Sequence, residues 1–179
     1  MTTSSISPIV VRKAKVEDAA QVSEVGRHVF SITFGHSVTP EQLAKFLDET
    51  YTPELIGKEI QDPTKLMLVA EDPSGRIAGF ILMARESDEP CVRSYDKRVE
   101  MLRFYVHTDY HGQGVGKALS IELEKIARAE GQKYMWLGVW EENHKAQAVY
   151  RKMGYEKVGD HVFDVGGDLQ TDEIMIKQL

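Results

Sequence analysis

The apolar positions of this chain recur at two periods, and each change of period marks an element. Ile9 to Lys13 is a short apolar and basic run that predicts a first strand. From Glu17 to Phe30 the spacing is helical, with Ala19, Val22, Val25 and Val29 on one face. Thr39-Pro40-Glu41-Gln42 is a helix start, in which Thr caps, Pro fits the first turn and Gln can close a capping box. Thr52-Pro53-Glu54 repeats the device for a short helix ending near Gln61. Leu66 to Glu71 and Ile77 to Ala84 then flank Asp72-Pro73-Ser74-Gly75, which predicts a hairpin. Glu86 to Lys97 is polar, carries Pro90 and reads as a loop. Val99 to His107 is a third apolar strand, followed by a glycine-rich turn over Gly112 to Gly116.

The second half repeats the alternation. Val115 to Ala129 is helical, with Val115, Leu119, Leu123 and Ile126 on one face and Gly131 as its stop. Tyr134 to Trp140 predicts a strand. His144 to Met153 predicts a helix with Ala146, Val149, Tyr150 and Met153 along one stripe. Tyr155 to Val165 and Glu173 to Ile176 predict closing strands around Gly166-Gly167. This order predicts an α/β fold: a mixed sheet with helices on both faces.

Composition narrows the class. The chain has 179 residues, 42 % of them hydrophobic and 28 % charged, which suits one domain over 9–179 with a true core. Met1 to Pro8 is polar, lacks the pattern of a signal peptide and is expected to be a disordered tail. A net charge of −6 argues against a nucleic-acid partner and is compatible with a cationic substrate. One cysteine, Cys91, excludes an internal disulfide framework and points to a reducing, cytoplasmic setting. No run reaches the ~20 apolar residues of a membrane helix, so no membrane partner is expected.

The most informative stretch is Val106-His107-Thr108-Asp109-Tyr110-His111-Gly112-Gln113-Gly114-Val115-Gly116-Lys117. A strand runs into a glycine-rich turn that opens a helix, an arrangement that aims several backbone N–H groups and the positive helix end at one point. A diphosphate is the natural ligand. Two nucleotide loops fail here. The P-loop pattern would need Gly where His111 stands and Ser or Thr where Ala118 stands. The dinucleotide fingerprint would need Gly at Lys117. His107 and His111 have a zinc-like spacing, but at a strand–loop junction with no further ligand, so no metal is expected.

His111-Gly112-Gln113-Gly114-Val115-Gly116 resembles the acyl-CoA pyrophosphate loop Gln/Arg-x-x-Gly-x-Gly/Ala of GNAT acetyltransferases, with His in the first position. Further on, Asn143-His144-Lys145-Ala146-Gln147-Ala148-Val149-Tyr150-Arg151-Lys152-Met153-Gly154-Tyr155 resembles the second GNAT signature. On these two motifs the chain is identified as a member of the GNAT superfamily. Phe30 to Phe34, Thr39-Pro40-Glu41, Trp136 to Glu141 and Gln170 to Met175 are similar to PaiA-type spermidine/spermine N-acetyltransferases, a likeness that covers nearly the whole chain. The resemblance implies a mostly antiparallel sheet of about seven strands. It implies acetyl-CoA as co-substrate and direct attack by a primary amine, with a polyamine such as spermidine or spermine favoured. It also implies that the two central strands splay apart around the acyl-CoA.

The chemistry asks for particular groups. An alkylamine has a pKa near ~10.4, so freeing its lone pair at pH 7 costs about 3.4 pK units, or roughly 4–5 kcal/mol. The site needs a proton acceptor, a proton donor for the leaving thiolate and N–H groups for the thioester oxygen. The resemblance makes Tyr150 the donor and places Asn143 on the cofactor arm, although both also suit plain helix packing and N-capping. It assigns backbone pairing with the cofactor to Phe104, Tyr105 and Val106, and diphosphate binding to His111, Gly112, Gln113, Gly114, Val115, Gly116 and Lys117. Relatives often carry the base where Leu102 stands. Glu100, two residues earlier and expected on the same face as Leu102 and Phe104, is the first choice, acting directly or through a water. His107 is the poorer choice. Phe30 and Phe34, with His36 and Phe46 nearby, are expected to wall the acceptor site together with Glu100. Trp136 and Trp140 share a face whose role stays open. A protein N-terminus, a lysine or an amino acid as acceptor remains an alternative, as does a non-catalytic acyl-CoA-binding regulator. A homodimer is left open.

Overall fold

The computed structural model describes residues 9–165 and 167–179, without the side chain of residue 163. The expected tail Met1 to Pro8, and Gly166 of the final turn, lie outside the described residues. β1 is Val10–Lys13. A single 3-10 turn, Val16–Asp18, leads into α1, Ala19–Phe34, followed by α2, Pro40–Thr50, and α3, Pro53–Gln61. The hairpin is β2, Lys65–Glu71, and β3, Ile77–Ala84. Then come β4, Arg98–Val106; α4, Val115–Ala129; β5, Tyr134–Trp140; α5, His144–Lys152; β6, Glu156–Val165; and β7, Asp168–Gln178.

Local chemistry explains most boundaries. Thr39 Oγ1 accepts from the Gln42 N–H, and the Gln42 side chain accepts from the Thr39 N–H, so the capping box is formed. Thr52 Oγ1 caps α3 by accepting from the Leu55 N–H. Asp72 accepts from the Ser74 and Arg76 amides and so closes the β2–β3 turn. α1 runs four residues beyond the expected Phe30 because nothing breaks it before Gly35, its C-cap. β7 begins five residues before the expected Glu173. Polar residues hide its start in the sequence, but the strand pairs with both β5 and β6, which supply its hydrogen bonds.

The seven strands form one sheet in the order β1-β2-β3-β4-β5-β7-β6. Every pairing is antiparallel except β4 with β5, which the α4 crossover makes parallel. That pairing covers only Arg98–Tyr134, Val99–Met135 and Glu100–Trp136. Beyond Glu100 and Trp136 the two strands diverge. α4 and α5 cover one face over a core that includes Leu68, Ile81, Leu119, Leu123 and Met175; α1 to α3 cover the other over Val22, Phe30, Ile56, Phe80 and Trp140. Each fully buried aliphatic side chain contributes about 1.5–3 kcal/mol relative to exposure. Among the described residues no helix is long and apolar enough to cross a membrane.

Two expected faces are corrected. β4 pairs Leu82 with Arg103 but Met83 with Met101, so the register shifts and Leu102 is bulged out of the ladder. Met101 and Phe104 therefore both pack on the α4 side, while Arg103 meets Glu59 of α3 on the other. Glu100 thus does not share a face with Phe104. In α5, Ala146, Tyr150 and Met153 pack on the core, but Val149 is 46 % exposed. The buried place is taken by Gln147, whose Nε2 donates to the carbonyls of Trp140 and Glu141 and ties the helix to the end of β5.

Candidate active site

The site forms where β4 and β5 part. The His107 N–H donates to Ala78 C=O at 2.9 Å, so alternation along the antiparallel ladder directs the backbone groups of Tyr105 toward β3 and those of Phe104 and Val106 into the opening. Past β4, the 3-10 turn Thr108–Tyr110 is fastened to the β2–β3 turn. The Tyr110 hydroxyl donates to Asp72 at 2.6 Å and Arg76 pairs with Asp109 at 3.0 Å. The His111 ring meets Val106 C=O at 3.0 Å, so the residue that departs from the usual motif braces the loop against its own strand.

The glycines then perform separate tasks. Gly112 and Gly114 have φ of 75° and 78°, in the left-handed region, and a Cβ on either would point into open space. Gly114 is the N-cap of α4, whose first backbone bond runs from the Ala118 N–H to Gly114 C=O at 3.0 Å. The amides of Val115, Gly116 and Lys117 precede that bond and face outward. Gly116 lies against Phe104, where a Cβ would stand 3.2 Å from the ring. An open concave turn, free amides and a helix N-terminus fit the diphosphate of CoA.

Behind the loop lies a cavity of about 620 Å3. It brings together Phe30 and Phe34 from α1, Glu100, Leu102, Phe104 and Tyr105 from β4, and Asn143 and Tyr150 from the start and body of α5. His111 to Lys117 and Val106 do not line it; they border the opening outside. Phe30 stacks on Phe34 and Phe46 at centroid distances of 4.4 and 4.3 Å, and His36 sits 5.6 Å from Trp140. Asn143 Oδ1 accepts from the Ala146 N–H at 3.1 Å, so it caps α5 while lining the cavity. The Tyr150 ring lies 6.4 Å from Phe104 and 5.8 Å from Tyr155. Trp136 and Trp140 are both buried and both line the cavity.

Burial dominates the electrostatics. It raises the Tyr150 and Tyr105 hydroxyls above the ordinary tyrosine value, so both stay protonated at neutral pH. The Tyr51 hydroxyl donates to that of Tyr105 at 2.9 Å. Burial also raises the Glu100 carboxyl, against the opposing effect of the Ser87 hydroxyl that donates to it. His107 is lowered by burial and then by His28, on which it stacks at 4.1 Å; it lies at the loop, away from the cavity. Cys91 is raised by burial and is a poor nucleophile. Among the described residues no three metal-ligating side chains converge.

Sequence reasoning overlooked part of the cavity wall. The polar stretch after β3 supplies Ser87, Asp88 and Glu89, and Glu89 is buried with His161 Nδ1 at 2.5 Å. Asp172 of β7 lines the cavity beside Gly138, and burial lifts its carboxyl to about 6. One signal was available: Asp172, Ile174 and Ile176 alternate along one strand face, so an acid stands in line with buried aliphatics.

Comparison with known proteins agrees with this geometry. Residues 33–155 match the model of the acetyltransferase (GNAT) family. An uncharacterized N-acetyltransferase of Lactobacillus delbrueckii subsp. lactis is 31 % identical over 91 % of this chain and 93 % of its own length. A spermidine N(1)-acetyltransferase of Thermoplasma acidophilum is 25 % identical over 83 % of this chain and 88 % of its own. Among solved structures, the PaiA N-acetyltransferase of Thermoplasma acidophilum in complex with coenzyme A superposes with a TM-score of 0.77 at 26 % identity, covering 96 % of this chain and 99 % of that one. The splayed parallel pair, the open glycine turn at the head of α4 and the family match agree: the chain belongs to the GNAT family and is an acetyl-CoA-dependent N-acetyltransferase.

Proposed function

We propose that the acceptor is a cationic primary amine, with a polyamine such as spermidine or spermine as the favoured substrate. The observation that carries this reading is the cavity itself: the strand opening and Tyr150 on one side, and an aromatic wall with buried carboxylates on the other. Carboxylates hold an ammonium, and Phe30, Phe34 and the Trp140 ring suit a polyamine's methylenes and charge. The likeness to a spermidine N(1)-acetyltransferase supports the same choice.

In this reading the open turn 112–114 and the outward amides of residues 115–117, with the Lys117 charge and His111 bracing the loop, bind the diphosphate. The edge groups of Phe104 and Val106 hold the pantetheine arm beside Tyr105, and one of these amides meets the thioester oxygen. Asn143 contacts the arm from the opposite side. Tyr150 donates its proton to the departing thiolate. Glu100 binds the acceptor's charge, and a carboxylate of this wall takes up the proton. A reaction that consumes acetyl-CoA and a lone free thiol at Cys91 suits the cytoplasm.

The test is thiol release from acetyl-CoA across spermidine, spermine, a simple monoamine, free lysine and a peptide N-terminus. Spermidine and spermine should give the highest kcat/KM. Background rates with both, alongside turnover of the peptide, would overturn the polyamine assignment and leave the acetyltransferase intact.

A further inference from the structure

Four carboxylates border the cavity at Asp88, Glu89, Glu100 and Asp172, and three of them are already engaged, Asp88 by Arg93 and Arg98. Glu89 holds the His161 ring at 2.5 Å, and Glu100 accepts from the Ser87 hydroxyl. Asp172 differs. Its Oδ1 is buried and has no hydrogen-bond partner among the described residues. A buried carboxylate oxygen left without a partner is costly and calls for a ligand. The same wall holds a second such atom, Nε1 of Trp136, a residue only 3 % exposed.

Placement gives Asp172 a purpose. On β7 it pairs with Trp140 of β5 and His161 of β6. Its other oxygen stands 3.1 Å from where a Cβ on Gly138 would lie, so the missing side chain makes room for the carboxylate. Gly138 is the second residue of β5 beyond Trp136, the last to pair with β4, so this notch sits where the strands begin to part. Glu100 belongs to the paired section before it.

We propose that Asp172, not Glu100, is the proton acceptor of the transfer reaction, receiving a proton from the acceptor nitrogen through its unpartnered buried oxygen. This rests on the amine reading above. The ammonium carries three N–H bonds, and the amide product keeps one. As the N–C bond forms and the C–S bond breaks, one proton passes to Asp172 and on to solvent. The other reaches the CoA sulfur through Tyr150, which is restored in turn. The net yield is amide, CoA thiol and one proton, and no other reactant is needed.

The charged and titratable groups facing Asp172 are His161 from β6, Glu141 after β5 and Tyr105 from β4, with Tyr51, Asp88, Glu89, Glu100, Arg103 and Tyr150 also bordering the cavity. With its carboxyl at about 6, Asp172 is ionised at pH 7 and able to accept. The wild-type kcat/KM for spermidine should rise tenfold per pH unit up to about pH 6, then level until the amine itself titrates.

The experiment compares pH profiles of Asp172→Asn, Glu100→Gln and Gly138→Ala, with CoA affinity by calorimetry as a folding control. Asp172→Asn should lose the limb near pH 6 and track the neutral amine, with a loss on the order of 10²-fold or more at pH 7 that shrinks as pH rises. A weakly basic amine, neutral at pH 7, should lose far less in this variant, which a merely structural role would not produce. Glu100→Gln should keep the limb. Gly138→Ala, which crowds the carboxylate, should shift it, and carries the test if Asp172→Asn does not fold. A limb retained in Asp172→Asn, removed in Glu100→Gln, or unmoved in Gly138→Ala overturns the proposal. Loss of turnover with every amine in the wild type would instead sink the amine reading.

Discussion

At the scale of single residues, the question for Tyr150 is whether it packs or reacts. Its ring lies against Phe104 and Tyr155, so packing alone could account for it. Removing the hydroxyl separates the two, because Tyr150→Phe keeps the ring and its buried area. The variant should lower kcat by roughly 10²-fold or more while the KM for acetyl-CoA changes little. Steady-state kinetics within about threefold of wild type would assign Tyr150 to packing. The place of Tyr150 and Asn143 at the cavity was legible because both lie in one short motif. Asp172 was not, because its meaning depends on Gly138 across the strand pair and on the absence of an internal partner. Neither is local in sequence.

At the scale of elements, the sequence conveys most where a boundary is made by local chemistry. Thr39, Thr52 and the Asp72 turn behave as their side chains dictate, and α4 spans Val115 to Ala129 as its period predicts. It misleads where pairing decides. The Leu102 bulge turns Glu100 away from Phe104's face, and no residue type in Glu100-Met101-Leu102-Arg103 announces an extra residue in the ladder. The glycine turn lies between these cases: the motif was readable, its division of labour was not. Gly114 is a position where a side chain is costly, because its φ is 78° and it caps α4. Gly114→Val would strain the backbone by ~1–2 kcal/mol and fill the space before the amides. Acetyl-CoA binding should weaken tenfold or more, consistent with losing one charge-assisted contact of ~1.5–3 kcal/mol. Calorimetry on a folded variant with unchanged affinity would rule out this use of the loop.

At the scale of the whole molecule, the sheet is two blocks, β1-β2-β3-β4 and β5-β7-β6, joined by three register pairs and by the apolar layers on either face. The edges of β4 past Glu100 and of β5 past Trp136 carry backbone groups with no strand opposite them. An extended amide-bearing arm laid between them would complete the sheet and clamp the blocks together. Binding energy from acetyl-CoA should therefore appear as stability across this seam. At a ligand concentration of ~100 Kd the linkage amounts to about 2.7 kcal/mol. For a chain of this size that corresponds to a rise in Tm of about 5–10 °C. Amide exchange should slow most over residues 102–106 and 137–140, on both sides of the opening. Spermidine alone bridges no strand edges and should leave those amides nearly unchanged. If acetyl-CoA raises Tm while the slowed amides fall only on α1 and α2, the arm lies outside the opening, and the strand divergence has some cause other than the cofactor.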